Sequence, residues 1–136
     1  MRDNKDMETL EQFIARHSRN SEKKQSFVEY LYFLMDKYQF TNPADLYTKA
    51  NISRQLYSSI VSEKSHPSLN VCLKLVFALH CNNHECKYLL KKAGYTLASS
   101  NRYALILRYA IENQIYDIYE VNELLEENGY GDSLIV

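Results

Sequence analysis

The densest group of chemically capable side chains is the run His80-Cys81-Asn82-Asn83-His84-Glu85-Cys86. Four zinc-type ligands (His80, Cys81, His84 and Cys86) fall within seven residues there, and Cys72 lies upstream. Imidazole and thiolate suit zinc, but the spacing matches no standard finger. Free cysteine more often behaves as a small buried hydrophobe. We therefore read Cys81 as core, His84 and Cys86 as exposed or half-exposed, and the run as binding no metal. Histidines at 17, 66, 80 and 84 and scattered carboxylates offer pieces of acid–base chemistry. No organised nucleophile, Gly-rich phosphate loop or metal triad accompanies them. Glu112, Glu120, Glu123, Glu126 and Glu127 read as a solvated helix face. The expectation is a protein with no catalytic residues and no cofactor.

The elements that position these groups are helical. The chain has 136 residues, of which 46% are hydrophobic, with only three Gly and two Pro. That composition favours one compact, helix-rich domain. No segment alternates as a hairpin of strands would, so the expected class is all-α. Ser26 with Glu29 forms a capping box, and Phe27, Leu31, Leu34 and Tyr38 follow at helical spacing. Thr41-Asn42-Pro43 stops that helix and starts a short one from Pro43 to Ala50. Asn51-Ile52-Ser53 is a tight connection, and Ser53 caps a third helix reaching about Ser62. Ser68 opens a fourth helix that ends near His80, and Asn82 with Glu85 boxes a fifth that ends at Ala93-Gly94. Two more helices are expected at about Asn101–Glu112 and Asp117–Asn128, the last closed by Gly129.

The segment from Asn42 to Tyr95, NPADLYTKANISRQLYSSIVSEKSHPSLNVCLKLVFALHCNNHECKYLLKKAGY, resembles the lambda-repressor/Cro (XRE-type) helix-turn-helix family. The likeness includes the Pro67-Ser68-Leu69 start of the fourth helix and spans five helices from Ser26, about half the chain. A narrower resemblance is to small bacterial proteins in which the turn reads like KANISRQLYSSI, the fifth helix ends like LLKKAGYTLASS and two helices follow. The family likeness implies that the third helix enters the major groove of double-stranded DNA. The matching positions are Ser53, Arg54, Gln55, Ser58 and Ser59, with Ile52, Leu56 and Ile60 facing the core. Arg can pair with guanine and Gln with adenine. Asn42 and Ser53, at helix starts, could anchor phosphates, and Lys64 and His66 would lie near the DNA backbone. Three departures bear on this. Pro43 replaces a Gln that the family uses at the start of the second helix. Tyr47 replaces a small Ala, so the second helix must stand off the third. Asn51 replaces the turn Gly, and Asn tolerates the left-handed conformation.

Three segments follow: an N-terminal arm and linker (1–25), the helix-turn-helix domain (26–95) and a C-terminal helical pair (96–136). In the arm, Met7, Leu10, Phe13 and Ile14 lie on one side of a short helix, and 18–25 is a polar linker. The C-terminal pair is richer in apolar residues than one buried face requires. Part of it should cap the core, and the rest suits a two-fold interface edged by Tyr103, Tyr109, Tyr116 and Tyr119. The net charge of −1 hides an uneven distribution. Residues 26–95 carry eight bases and five acids, +3, and residues 96–136 carry two bases and seven acids, −5. A +3 reading head predicts few phosphate contacts per subunit and a need for dimerisation. The charged N-terminus does not read as a signal peptide and no apolar run is long enough to span a membrane. Three cysteines form no even disulfide framework. The reading is thus a cytoplasmic, homodimeric DNA-binding transcription regulator. Its competitor is a non-enzymatic adaptor or inhibitor, related to mobile elements or defence, that offers the same scaffold to a protein partner.

Overall fold

The computed structural model describes residues 8–14 and 25–136, and all of its regular structure among these residues is helical. Residues 10–14 form a short helical segment. Seven helices follow: α1 (Phe27–Lys37), α2 (Pro43–Lys49), α3 (Arg54–Val61), α4 (Leu69–Leu79), α5 (Asn83–Lys92), α6 (Arg102–Glu112) and α7 (Ile118–Glu127). The expected Met7 contribution to the arm helix, His17 and most of the 18–25 linker lie outside the described residues.

Each of the seven starts on a short polar side chain that accepts a hydrogen bond from the first turn. These caps are Ser26, Asn42, Ser53, Ser68, Asn82, Asn101 and Asp117. Such a cap satisfies one of the N–H groups that a helix start leaves unpaired. The capping boxes at Ser26–Glu29 and Asn82–Glu85 are both formed reciprocally.

The helix ends are as uniform as the starts. Each ends on a left-handed residue: Gln39, Asn51, Glu63, Gly94, Gln114 and Gly129 just after the C-cap, and His80 as the C-cap of α4 itself. The next residue then donates its N–H to a carbonyl five residues back, as in Phe40 to Met35, Ile52 to Tyr47 and Lys64 to Ser59. This is the Schellman closure, in which the residue after the left-handed one usually packs back on the helix. Phe40, Ile52, Cys81, Tyr95, Ile115 and Tyr130 are buried or half-buried at that position. Lys64, after α3, is exposed. Only two of the seven left-handed positions are Gly, so the other five carry a steric cost of about 1 kcal/mol or more where the side chain is not Asn. Gln39 is exposed and makes no side-chain hydrogen bond among the described residues. Gln39→Gly is therefore expected to raise stability by about 1 kcal/mol, read as a higher denaturant midpoint at unchanged slope; a lower midpoint would mean that the glutamine side chain contributes.

The core centres on α4, whose Cys72, Leu73, Leu75, Val76, Phe77 and Leu79 are almost fully buried. Helices α2 and α5 pack against it, α1 packs on α5, and α6 and α7 extend the stack beyond α5. The buried set is continuous from Phe27 to Ile135. Leu107, Ala110, Ile111, Val121 and Leu125 supply the C-terminal share. The segment after α7 returns to α4: Asn122 brackets the backbone N–H and carbonyl of Ile135, and Asn70 does the same for Val136.

Candidate nucleic-acid interface

Helix α3 is held by one face. Ile52 before it and Ile60 within it are buried, and Leu56 is half-buried. Tyr57 is also buried, which the apolar spacing did not single out; burial pushes its phenol up to about 12. Tyr57 explains how the bulky Tyr47 is accommodated. The two rings meet at 5.4 Å and 45°, so aromatic contact fills the space between α2 and α3. Asn51 in the connecting turn has φ 56°, the left-handed geometry for which Asn substitutes well for Gly. Lys74 of α4 donates to its carbonyl at 3.2 Å and braces the turn.

The opposite face of α3 is open. Arg54, Gln55 and Ser58 are exposed, and Ser59 is half-buried. At about 100° per residue these four occupy an arc of about 140°. Among the described residues, neither Arg54 nor Gln55 has a side-chain hydrogen bond or ion pair, so both are free to meet a ligand. Ser53 accepts from the Leu56 N–H at 3.0 Å and fixes the helix start beside them. After α3 the chain folds back on itself. Ser59 and Ser65 hydroxyls lie 2.6 Å apart, and the N–H groups of Lys64 and Ser65 both reach the Ser59 carbonyl. The Lys64 side chain is therefore anchored at its backbone beside α3 while its ammonium faces solvent.

The remaining expected contacts are more dispersed. Asn42 caps α2, accepting from Ala44 at 3.0 Å, and makes no hydrogen bond to α3. His66 is exposed, with its ring 5.9 Å from Tyr95, whose hydroxyl donates to the Pro67 carbonyl. The structure thus brings Ser53, Arg54, Gln55, Ser58, Ser59 and Lys64 together on α3 and its closing loop. Asn42 and His66 belong to flanking elements.

The four tyrosines expected at a two-fold interface divide. Tyr103 donates to the Ser133 carbonyl and meets the Tyr130 ring edge-on. Tyr116 donates to the Cys81 carbonyl and stacks on His80 at 4.4 Å. Tyr109 and Tyr119 remain exposed, Tyr119 at 82%.

The 80–86 run is taken apart by the fold. Cys72, Cys81 and Cys86 are all buried, and burial pushes the Cys72 and Cys86 thiols up to about 12. The expectation that Cys86 is exposed or half-exposed is corrected: it sits on the inner face of α5, one turn before the buried Leu89 and Leu90. His80 lies against Tyr116, and burial, then the Lys49 ammonium 3.3 Å away, holds its pKa below the ordinary imidazole value. Among the described residues no group of three or more His, Cys, Asp or Glu side chains is placed to hold a metal ion.

Sequence reasoning also passed over a buried carboxylate. Glu85 is 4% exposed. It accepts from the Lys37 ammonium, the Tyr38 hydroxyl and the Asn82 N–H. Burial alone would raise its pKa, but these three donors together hold the carboxyl below the ordinary carboxylate value. The group ties the end of α1 to the start of α5. Its partners are 48 and 47 residues away, and only the local half of the arrangement, the capping box, was readable from spacing.

No family model, curated protein or solved structure matches the chain. Among the described residues no helix is long and apolar enough to cross a membrane.

Proposed function

We propose that the chain is a lambda-repressor-like helix-turn-helix protein that binds double-stranded DNA through α3 and acts as a non-enzymatic regulator. The observation that carries this reading is the state of Arg54 and Gln55. Two side chains with base-reading chemistry start a helix whose other face is buried, and nothing within the fold engages them. Lys64, held against α3 by the loop closure, supplies a phosphate contact beside them. Lys49 and Lys74 are engaged with His80 and the Asn51 carbonyl, so few cations per subunit remain for phosphates. A dimer doubles that number, and the exposed Tyr109 and Tyr119 on the acidic C-terminal pair are the surface we assign to it.

The same exposed tyrosines and the −5 charge of residues 96–136 support a second reading, in which the chain is an adaptor or inhibitor facing a basic protein partner. Titration of a random-sequence duplex at low salt, followed by fluorescence anisotropy, separates the two. Phosphate contacts are strongest there, so the DNA reading expects binding that weakens as salt rises. Absence of binding at low salt removes the DNA reading and leaves the adaptor.

A further inference from the structure

A groove of about 460 Å³ runs between α5, the connection after it and α6. Its walls are apolar, with Leu90, Leu97, Leu105 and Ile111 among them, and Lys87 and Lys91 stand on its α5 side. Both lysines are exposed and have no ion-pair partner among the described residues, whereas Arg108 on the α6 side is already paired with Glu112 at 3.0 Å. Leu105 is 46% exposed.

A second exposed apolar surface belongs to the same chain. Leu10, Phe13 and Ile14 are 73%, 47% and 51% exposed on the 10–14 helical segment. The spacing i, i+3, i+4 puts them on one face. Glu11 is exposed on the same segment, and Thr9 and Gln12 cap it reciprocally, so it carries its own helix start. The tether favours a meeting. Lys92, the last residue of α5, donates to the Gln25 carbonyl, so the chain enters the folded domain beside the helix that forms one wall of the groove. From Ile14 to Gln25 the chain can span at most about 40 Å, while α5, with 10 residues, is about 15 Å long. The intervening chain is therefore long enough to bring the segment to any point along α5.

We propose that residues 10–14 dock in cis into the α5–α6 groove, with Leu10, Phe13 and Ile14 against its apolar walls and Glu11 facing Lys87 and Lys91. The arm is then a lid over the groove, an arrangement that stands whether or not α3 binds DNA.

The test uses the full chain with one added thiol. The three native cysteines are buried, so a nitroxide attaches selectively at Ser100→Cys, an exposed position next in the chain to Ser99, which lines the groove. Docking in cis predicts that the amide signals of residues 10–14 lose most of their intensity in the oxidised sample and recover on reduction. Leu10→Asp in the arm and Leu105→Glu in the groove, each at an exposed position, should both restore the signals. Charge exchange gives a further check: Glu11→Lys weakens the effect, and adding Lys87→Glu and Lys91→Glu brings it back. Mixing nitroxide-labelled chain without isotope and isotope-labelled chain without nitroxide should produce no broadening of residues 10–14. Broadening only in that mixture would replace the cis lid by exchange between copies and overturn the proposal. Undiminished signals in the singly labelled sample overturn it outright.

Discussion

Glu85→Ala is expected to lower stability by about 3 kcal/mol, the largest effect of any single polar substitution in this chain. The substitution removes one acceptor from three donors: a tyrosine hydroxyl, a helix N-terminal N–H and a lysine ammonium. The Lys37 side chain is 46% exposed and rehydrates when its partner is lost, which keeps the cost below that of a fully buried ion pair. Glu85→Gln retains an acceptor for Tyr38 and Asn82 and should cost only about 1 kcal/mol. The pH dependence separates charge from shape. Because the folded pKa of Glu85 is depressed, its contribution is complete above the unfolded value, about 4.3. That contribution is lost as pH falls through the lower folded value. Glu29, in the exposed box of α1, is depressed as well and titrates in the same sense. The difference between wild type and Glu85→Gln therefore isolates Glu85: the two stability curves converge in acid and separate towards neutral pH. Parallel curves would mean that the carboxylate charge contributes nothing.

The second large effect is on binding. Arg54→Ala combined with Gln55→Ala removes the two side chains proposed to read bases, and a good contact of that kind is worth about 1–3 kcal/mol of discrimination. The double variant is expected to lose specific duplex binding while its melting temperature stays near that of the wild type. Both side chains are exposed and neither takes part in a hydrogen bond within the fold, so nothing structural is removed. Ser53, whose hydroxyl caps α3, is deliberately left in place, since its loss would damage the helix start itself. Unchanged affinity in a folded double variant would move the function to another surface.

The helix starts were readable because each uses a short polar side chain at a fixed offset from an apolar stripe. Ser26, Asn42 with Pro43, Ser53, Ser68 and Asn82 all announce themselves in this way. The ends were harder. Gly94 and Gly129 carry the usual signal, but Gln39, Glu63, His80 and Gln114 adopt the same left-handed geometry with side chains that give no warning of it. The position of Lys64 depends on that closure, so its anchoring beside α3 was not legible, although its proximity was. Arg54 and Gln55 were legible as an open face through the family resemblance, which put Ile52, Leu56 and Ile60 towards the core, and both are exposed. Tyr103 and Tyr116 show the limit of periodicity: a half-buried tyrosine looks the same in sequence whether its hydroxyl meets its own chain or another. Here Ser133 and Cys81 carbonyls accept the two hydroxyls, leaving Tyr109 and Tyr119 outermost. Glu85 illustrates a longer-range gap, since its partners on α1 are brought to it only by the packing of α1 on α5.

The most direct test of the central claim is to map amide chemical-shift changes on the full-length protein as a short random-sequence duplex is added at low salt. The largest changes are expected on Ser53, Arg54, Gln55, Ser58, Ser59 and Lys64, fading together as salt is raised. Changes centred instead on α6 and α7, or no changes at all under those conditions, would contradict the claim.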